Sequence, residues 1–70
     1  MSNHTYKKIE IVGSSEISSD NAIENAIAKA SKSLKNLRWF EVVENRGLIG
    51  DNSKISYWQV TVKIGFTMED

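Results

Sequence analysis

Apolar positions along the chain follow two different periods, and the change from one to the other divides it into elements. From Tyr6 to Val12 the alternation puts Ile9 and Ile11 on one face and Lys8 and Glu10 on the other, the pattern of a strand. From Asp20 onward Ile23, Ile27, Ala30, Leu34 and Leu37 recur at steps of four, three, four and three, the stripe of an amphipathic helix. Ser18 or Ser19 can cap its first N–H groups. Asp20 and Glu24 then sit at the positive end of the dipole, and Lys29, Lys32 and Lys35 toward the negative end. These signals predict a helix from about Ser19 to Asn36. Alanines at 22, 26, 28 and 30 add propensity and a slim surface that a sheet can approach closely.

Period two returns after the helix. Leu37 to Ile49 is dense in Val, Ile, Trp and Phe, which favours a strand. Strict alternation would place Trp39, Glu41, Val43 and Asn45 on one face and Phe40, Val42, Glu44, Arg46 and Leu48 on the other, unless a bulge shifts the phase. Gly50-Asp51-Asn52-Ser53 is a turn signal leading into Lys54 to Phe66. There Trp58, Val60, Val62, Ile64 and Phe66 alternate against Tyr57, Gln59, Thr61 and Lys63, so the first set is the expected core face.

A strand, a crossover helix and a second strand run parallel with a right-handed connection, and a hairpin then sets the third strand antiparallel to the second. The compact solution is a single α+β domain over residues 1–70: a βαββ chain whose three-stranded antiparallel sheet has order 1-3-2 and partly wraps one helix. One helix covers one face only. The opposite face, carrying Trp39, Val43, Tyr57 and Gln59, is an expected interface or ligand surface.

Composition makes that face more important. Seventy residues bury only about 60% of the unfolded surface, and chains this small need disulfides, a metal or partner subunits. Cysteine is absent and the only histidine is His4, in the polar start, so disulfides, thiolate chemistry and histidine-based zinc sites within one chain are excluded. Oligomerisation remains. Nine basic and nine acidic residues cancel, so no net field attracts nucleic acid or anionic lipid. No apolar run approaches a membrane span and Met1-Ser2-Asn3-His4 lacks the features of a signal peptide, which makes a cytoplasmic protein the expectation.

An enzyme reading finds little to work with. Glu41 and Glu44 are three apart on a strand and fall on opposite faces, against a paired-carboxylate site. Gly13-Ser14-Ser15 stands between strand and helix but lacks the Gly-Lys-Ser/Thr of a phosphate loop, and is expected to be an ordinary loop. Proline is missing, so an N-terminal proline base is excluded as well. Trp39 is the unusual residue. Phe40 claims the core, which leaves the indole on the uncovered face, either as subunit packing or as a stacking platform for a planar ligand. Gln59 shares that face and offers both a donor and an acceptor to a ring edge that alternates C=O and N–H. Trp58 falls on the core side and is read as structural.

The segments Tyr6-Lys7-Lys8-Ile9-Glu10-Ile11-Val12-Gly13, Asn36-Leu37-Arg38-Trp39-Phe40-Glu41-Val42-Val43-Glu44 with Arg46-Gly47, and Gln59-Val60-Thr61-Val62-Lys63-Ile64-Gly65-Phe66 closely resemble the dodecins. The match covers nearly the whole chain in order, and Arg-Trp-Phe-Glu-Val-Val-Glu is its most specific part. Dodecins are small βαββ flavin-binding proteins that assemble into hollow dodecamers, and the resemblance implies the same here. It implies that Trp39 stacks on an isoalloxazine, that symmetry-related subunits sandwich a pair of flavins between two such indoles, and that Gln59 hydrogen-bonds the ring edge. It places Glu44 near the ribityl chain, which conflicts with strict alternation and is reconciled by a bulge between Glu41 and Arg46. Arg46 is a candidate phosphate or subunit contact.

The implied function is storage, buffering and photoprotection of FMN or riboflavin by a non-enzymatic homododecamer. A flavin-dependent oxidoreductase and a purely structural oligomer are the alternatives. Many bacterial dodecins read Gly-Phe-Arg where this chain has Gly65-Phe66-Thr67, so coenzyme A as a further ligand is left open.

Overall fold

Four elements form in the order β1 (Tyr6–Ser15), α1 (Ser19–Ser31), β2 (Leu37–Ile49) and β3 (Ile55–Thr67). The structure is a computed structural model and describes residues 3–68; Met1 and Ser2 of the polar start lie outside the described residues. The three strands make one sheet of order β1-β3-β2, with both pairings antiparallel, which is the βαββ arrangement expected from the periodicities.

β1 runs three residues past its expected end. Gly13, Ser14 and Ser15, expected as a loop, pair with Val60, Gln59 and Trp58 of the central strand. The glycine is needed there for space: a Cβ at position 13 would run into the Ala22 carbonyl oxygen and come within 2.9 Å of the Ala26 Cβ. Ser15 then organises the turn into the helix, its Oγ accepting from the Ile17 N–H at 2.9 Å and donating to Asn21 Oδ1 at 2.7 Å. Ser18 is the N-cap, and its Oγ accepts from the Asn21 N–H at 3.0 Å.

The helix stops at Ser31, five residues before the expected Asn36. Its last turn tightens through Lys32 N–H to Lys29 carbonyl and Ser33 N–H to Ala30 carbonyl bonds, and Asn36 takes a left-handed φ of 64° that redirects the chain into β2. Leu34 and Leu37 still pack on the core, but from the connection and from β2 rather than from helical turns.

Ala22, Ala26 and Ala30 are the buried positions of α1, packed on Val60, Val62 and Ile64 of β3, with Ile9, Ile11, Ile23 and Ile27 around them. The slim alanine face thus forms the floor of the contact, and the isoleucines flank it. Trp58 and Phe66, expected in the core, are only half-buried, since they lie toward the two ends of β3. A 13-residue helix is about 20 Å long, whereas the molecule extends 55 Å, so α1 covers the middle of the sheet alone. It packs on β1 and β3. Phe40 and Val42 consequently point to the helix side without being covered, and remain 46% and 47% exposed.

The β2–β3 register has three irregularities, the last between Leu48 and Ile49, and the first two decide which way the side chains from Trp39 to Leu48 face. Leu37 pairs with Phe66 and Trp39 with Gly65, so Arg38 is an extra residue; Val42 pairs with Val62 and Glu44 with Thr61, so Val43 is another. Trp39 and Phe40 keep the faces assigned by alternation. Beyond Val43 the phase reverses: Glu44 and Arg46 join the open face, while Asn45 pairs with Val60 on the helix side. Strict alternation is therefore wrong for Glu44, Asn45, Arg46 and Leu48, and the bulge between Glu41 and Arg46 is the reason.

Candidate functional site

The open face is a continuous surface built from β2 residues Trp39, Glu41, Glu44, Arg46 and Leu48 and their partners Gly65, Lys63, Thr61, Gln59 and Tyr57 on β3. β1 contributes Tyr6, Lys8, Glu10, Val12 and Ser14 through the matching register. Among the described residues no element covers this side.

At one end Trp39 lies flat on the sheet. Its Cε2, Cζ2 and Cη2 atoms occupy the space where a side chain at Gly65 would begin. Tyr6 meets the indole edge-on, with centroids 5.1 Å apart and planes at 74°, an arrangement that suits the ring quadrupoles. The indole is still 39% exposed, so one face rests on Gly65 while the other is open to a planar partner.

The middle of the face carries a charged row. Glu10 stands opposite Lys63, Glu41 stands opposite Lys63 from the other side, and Lys8 Nζ donates to Glu41 Oε1 at 3.3 Å. Lys8 and Glu41 are about half-exposed, and such pairs contribute little to stability.

Further along, Arg46 and Gln59 are cross-strand partners. Arg46 donates from Nε and Nη2 to the Gln59 amide oxygen at 3.0 and 2.8 Å. That fixes the amide orientation, with the oxygen engaged and the NH2 group left to donate. Glu44 Oε1 approaches Arg46 Nη1 at 4.0 Å, a loose contact between exposed groups. Among the described residues no three His, Asp or Glu side chains are grouped to hold a metal ion.

All four candidate site residues thus share one face, although not one place on it. Glu44, Arg46 and Gln59 cluster together, whereas Trp39 pairs at Gly65, six positions along β3 from Gln59. At about 3.3 Å per residue the separation is about 20 Å.

A family model described as Dodecin matches residues 5–69. The chain belongs to the dodecin family. It is 46% identical over 65 residues to the dodecin of Thermus thermophilus, covering 93% of each chain. Among solved structures, the dodecin of Streptomyces davaonensis is 52% identical and superposes with a TM-score of 0.93, with 99% of this chain and all of that one covered. The Streptomyces coelicolor dodecin is 47% identical with a TM-score of 0.92, covering 100% of this chain and 99% of that one.

Two residues of this dodecin's open face escaped the sequence reading: Gly65, under the indole, and Tyr6, at its edge. Gly65 meets Trp39 as its cross-strand partner and Tyr6 reaches it across β3 from β1, and period-two patterning gives the face of a residue without its neighbours on other strands. The Arg46 to Gln59 bond was hidden for the same reason.

Thr67, the position of departure from many bacterial dodecins, accepts from Arg38 Nε at 3.0 Å through its Oγ1. Arg38 is itself the extra residue before Trp39. The threonine therefore hydrogen-bonds the extra residue that precedes the indole.

Proposed function

We propose that this dodecin binds flavin, as FMN or riboflavin, stacked against Trp39, and that it stores, buffers and photoprotects it without turning over a substrate. The observation that carries the reading is the indole itself, rigidly backed by Gly65 on one face and open on the other. A fused three-ring ligand with one polar edge needs a flat aromatic platform and a directed hydrogen-bonding group. Trp39 offers the first and the oriented Gln59 amide the second.

Gly65 under the indole and Gln59 lie about 20 Å apart along β3, longer than such a ring system, which favours a ligand that meets the two groups from different protomers. In this reading a second copy of the chain completes the site. This supports a homo-oligomer, and we take it to be the homododecamer for which the family is named. Symmetry-related indoles then sandwich flavins in pairs, Gln59 of a neighbouring copy donates to the ring edge, and Glu44 and Arg46 flank the ribityl or phosphate end. Bound flavin supplies light absorption and redox capacity, and an adjacent indole can quench its excited state by electron donation. Whether coenzyme A also binds is separable from this reading, since Thr67 is engaged with Arg38. The two alternatives differ in outcome: an oxidoreductase would turn over with a nicotinamide donor, and a structural oligomer would take up no flavin. No helix among the described residues is long and apolar enough to cross a membrane, which agrees with the cytoplasmic location we infer.

The decisive experiment is an absorbance spectrum of the purified protein, identification of any released chromophore, and titration of the ligand-free protein with FMN and riboflavin. Saturable uptake with quenched flavin emission is expected. Absence of uptake for both flavins overturns the proposal.

A further inference from the structure

Gly65 stands in the interior of the central strand, where glycine weakens pairing and packing and normally marks a bulge or a close approach. It is not there for backbone conformation, because no glycine in the described chain has a positive φ. It stays in register with β1, and the extra residue opposite it, Arg38, belongs to β2, so β3 itself is not bulged at Gly65. What its missing side chain accommodates is the six-membered ring of Trp39.

We propose that Gly65 and Tyr6 are positioning residues for the stacking platform: Gly65 sets the height and tilt of the indole, Tyr6 fixes its rotation, and together they hold it ready before any ligand arrives. This rests on Trp39 being the stacking surface for flavin. A Cβ at position 65 would overlap Cε2, Cζ2 and Cη2, so even alanine must lift or swing the ring. An indole that is free to reorient loses entropy on stacking, whereas one already held flat does not, and affinity gained this way comes without any contact between ligand and Gly65 or Tyr6. The lifted ring would also narrow the gap between paired indoles, which is the dimension that must match the thickness of the stacked ligands.

A competing role is purely structural. An aromatic ring laid over a strand glycine can simply shield exposed backbone. In that case Gly65→Ala would alter stability and leave ligand affinity where it was.

The test uses the full chain in a Trp58→Phe background, so that Trp39 is the sole tryptophan, and compares Gly65→Ala and Tyr6→Leu. Near-ultraviolet circular dichroism and emission anisotropy of the ligand-free protein report how tightly Trp39 is held; FMN titration, melting temperature and native mass are measured alongside. Expected for Gly65→Ala is a weaker near-ultraviolet signal and a roughly tenfold loss of FMN affinity, with the native mass unchanged. Tyr6→Leu should give a smaller loss of both. Parental tryptophan signals and parental affinity in Gly65→Ala would overturn the proposal, as would a lower melting temperature with unchanged affinity. Should Gly65→Ala fail to assemble, Tyr6→Leu decides, since it leaves β3 intact, and parental tryptophan signals in that variant overturn the proposal. If the parent binds no flavin at all, the flavin reading fails, while the ligand-free tryptophan signals still judge whether Gly65 and Tyr6 hold the ring.

Discussion

Arg46 holds the amide oxygen of Gln59 from two nitrogens, at 3.0 and 2.8 Å, and thereby leaves the NH2 end of that amide as the one free to donate. A free glutamine can rotate to present either oxygen or NH2. This one presents its donor, which suits the carbonyl oxygens and bare ring nitrogens of a flavin edge. The pair exists because Val43 is extra in its strand: without the phase reversal Arg46 would project to the helix side, away from Gln59.

Gln59→Ala is therefore expected to weaken flavin binding several-fold while leaving the assembly intact, in line with about 0.5–1.5 kcal/mol for each hydrogen bond. Arg46→Ala should weaken binding as well, by freeing the amide to rotate. Because the arginine acts largely through the glutamine, the double variant should lose less than the two single losses combined. Isothermal titration of the four proteins measures the coupling. Strict additivity would mean that Arg46 does not orient Gln59.

Assembly is the second expectation. An uncovered sheet face carrying Trp39 on one side, and Phe40 and Val42 half-exposed on the other, leave large hydrophobic side chains on both sides of one protomer for another copy to cover. Native mass spectrometry at micromolar concentration should find dodecamers and no folded monomer. Phe40→Asp, which places a charge on the uncovered helix-side strip, should shift the mass toward smaller species. A folded monomer of the parent chain would contradict the expectation.

Gly13→Ala tests the fold rather than the site. The obstacle at position 13 is the Ala22 backbone carbonyl, which cannot rotate out of the way as a flexible side chain could. Either α1 lifts off the sheet or β1 bends. Overpacking of this kind costs about 1–3 kcal/mol. Chemical denaturation should show that loss. An unchanged midpoint would mean that helix and strand do not approach as closely at this position.

The elements were legible because each carried its own period: Ile9 and Ile11 against Lys8 and Glu10, the helical stripe from Ile23, and the unbroken alternation from Trp58 to Phe66. Strand order followed from connection rules. The bulge at Val43 was not written in the local pattern, since Val-Val-Glu continues either phase equally well; only the conflict between alternation and the family position of Glu44 pointed to it. The helix end differs because Leu34 and Leu37 keep the helical spacing although α1 stops at Ser31 and Asn36, between them, is left-handed. The partition of the site was missed for a geometric reason. Trp39 and Gln59 were correctly given one face, but a shared face says nothing about distance along it, and the separation appears only once the register pairs Trp39 with Gly65 and Arg46 with Gln59.

Trp39→Ala bears most directly on function. If two symmetry-related indoles enclose the ligands, a single substitution removes the stacking surface from both sides of each site. The loss should then exceed the roughly 0.5–1.5 kcal/mol that one aromatic pair adds beyond area burial. Removing the indole also uncovers Gly65 and leaves Tyr6 without its edge contact, so nothing replaces the platform. The buried core of Ala22, Ala26, Ala30, Val60, Val62 and Ile64 lies on the other side of the sheet, and the oligomer is expected to survive with its native mass unchanged. Emission provides a second readout. Flavin bound to the parent should be strongly quenched by electron transfer from the indole, and flavin still held by the variant should be brighter. Phenylalanine at the same position separates the two effects: Trp39→Phe retains a flat ring and should recover part of the affinity, but its ring is a far poorer electron donor and should leave the emission bright. Parental affinity together with parental quenching in Trp39→Ala would remove stacking from the mechanism and leave Trp39 as a residue of the subunit interface.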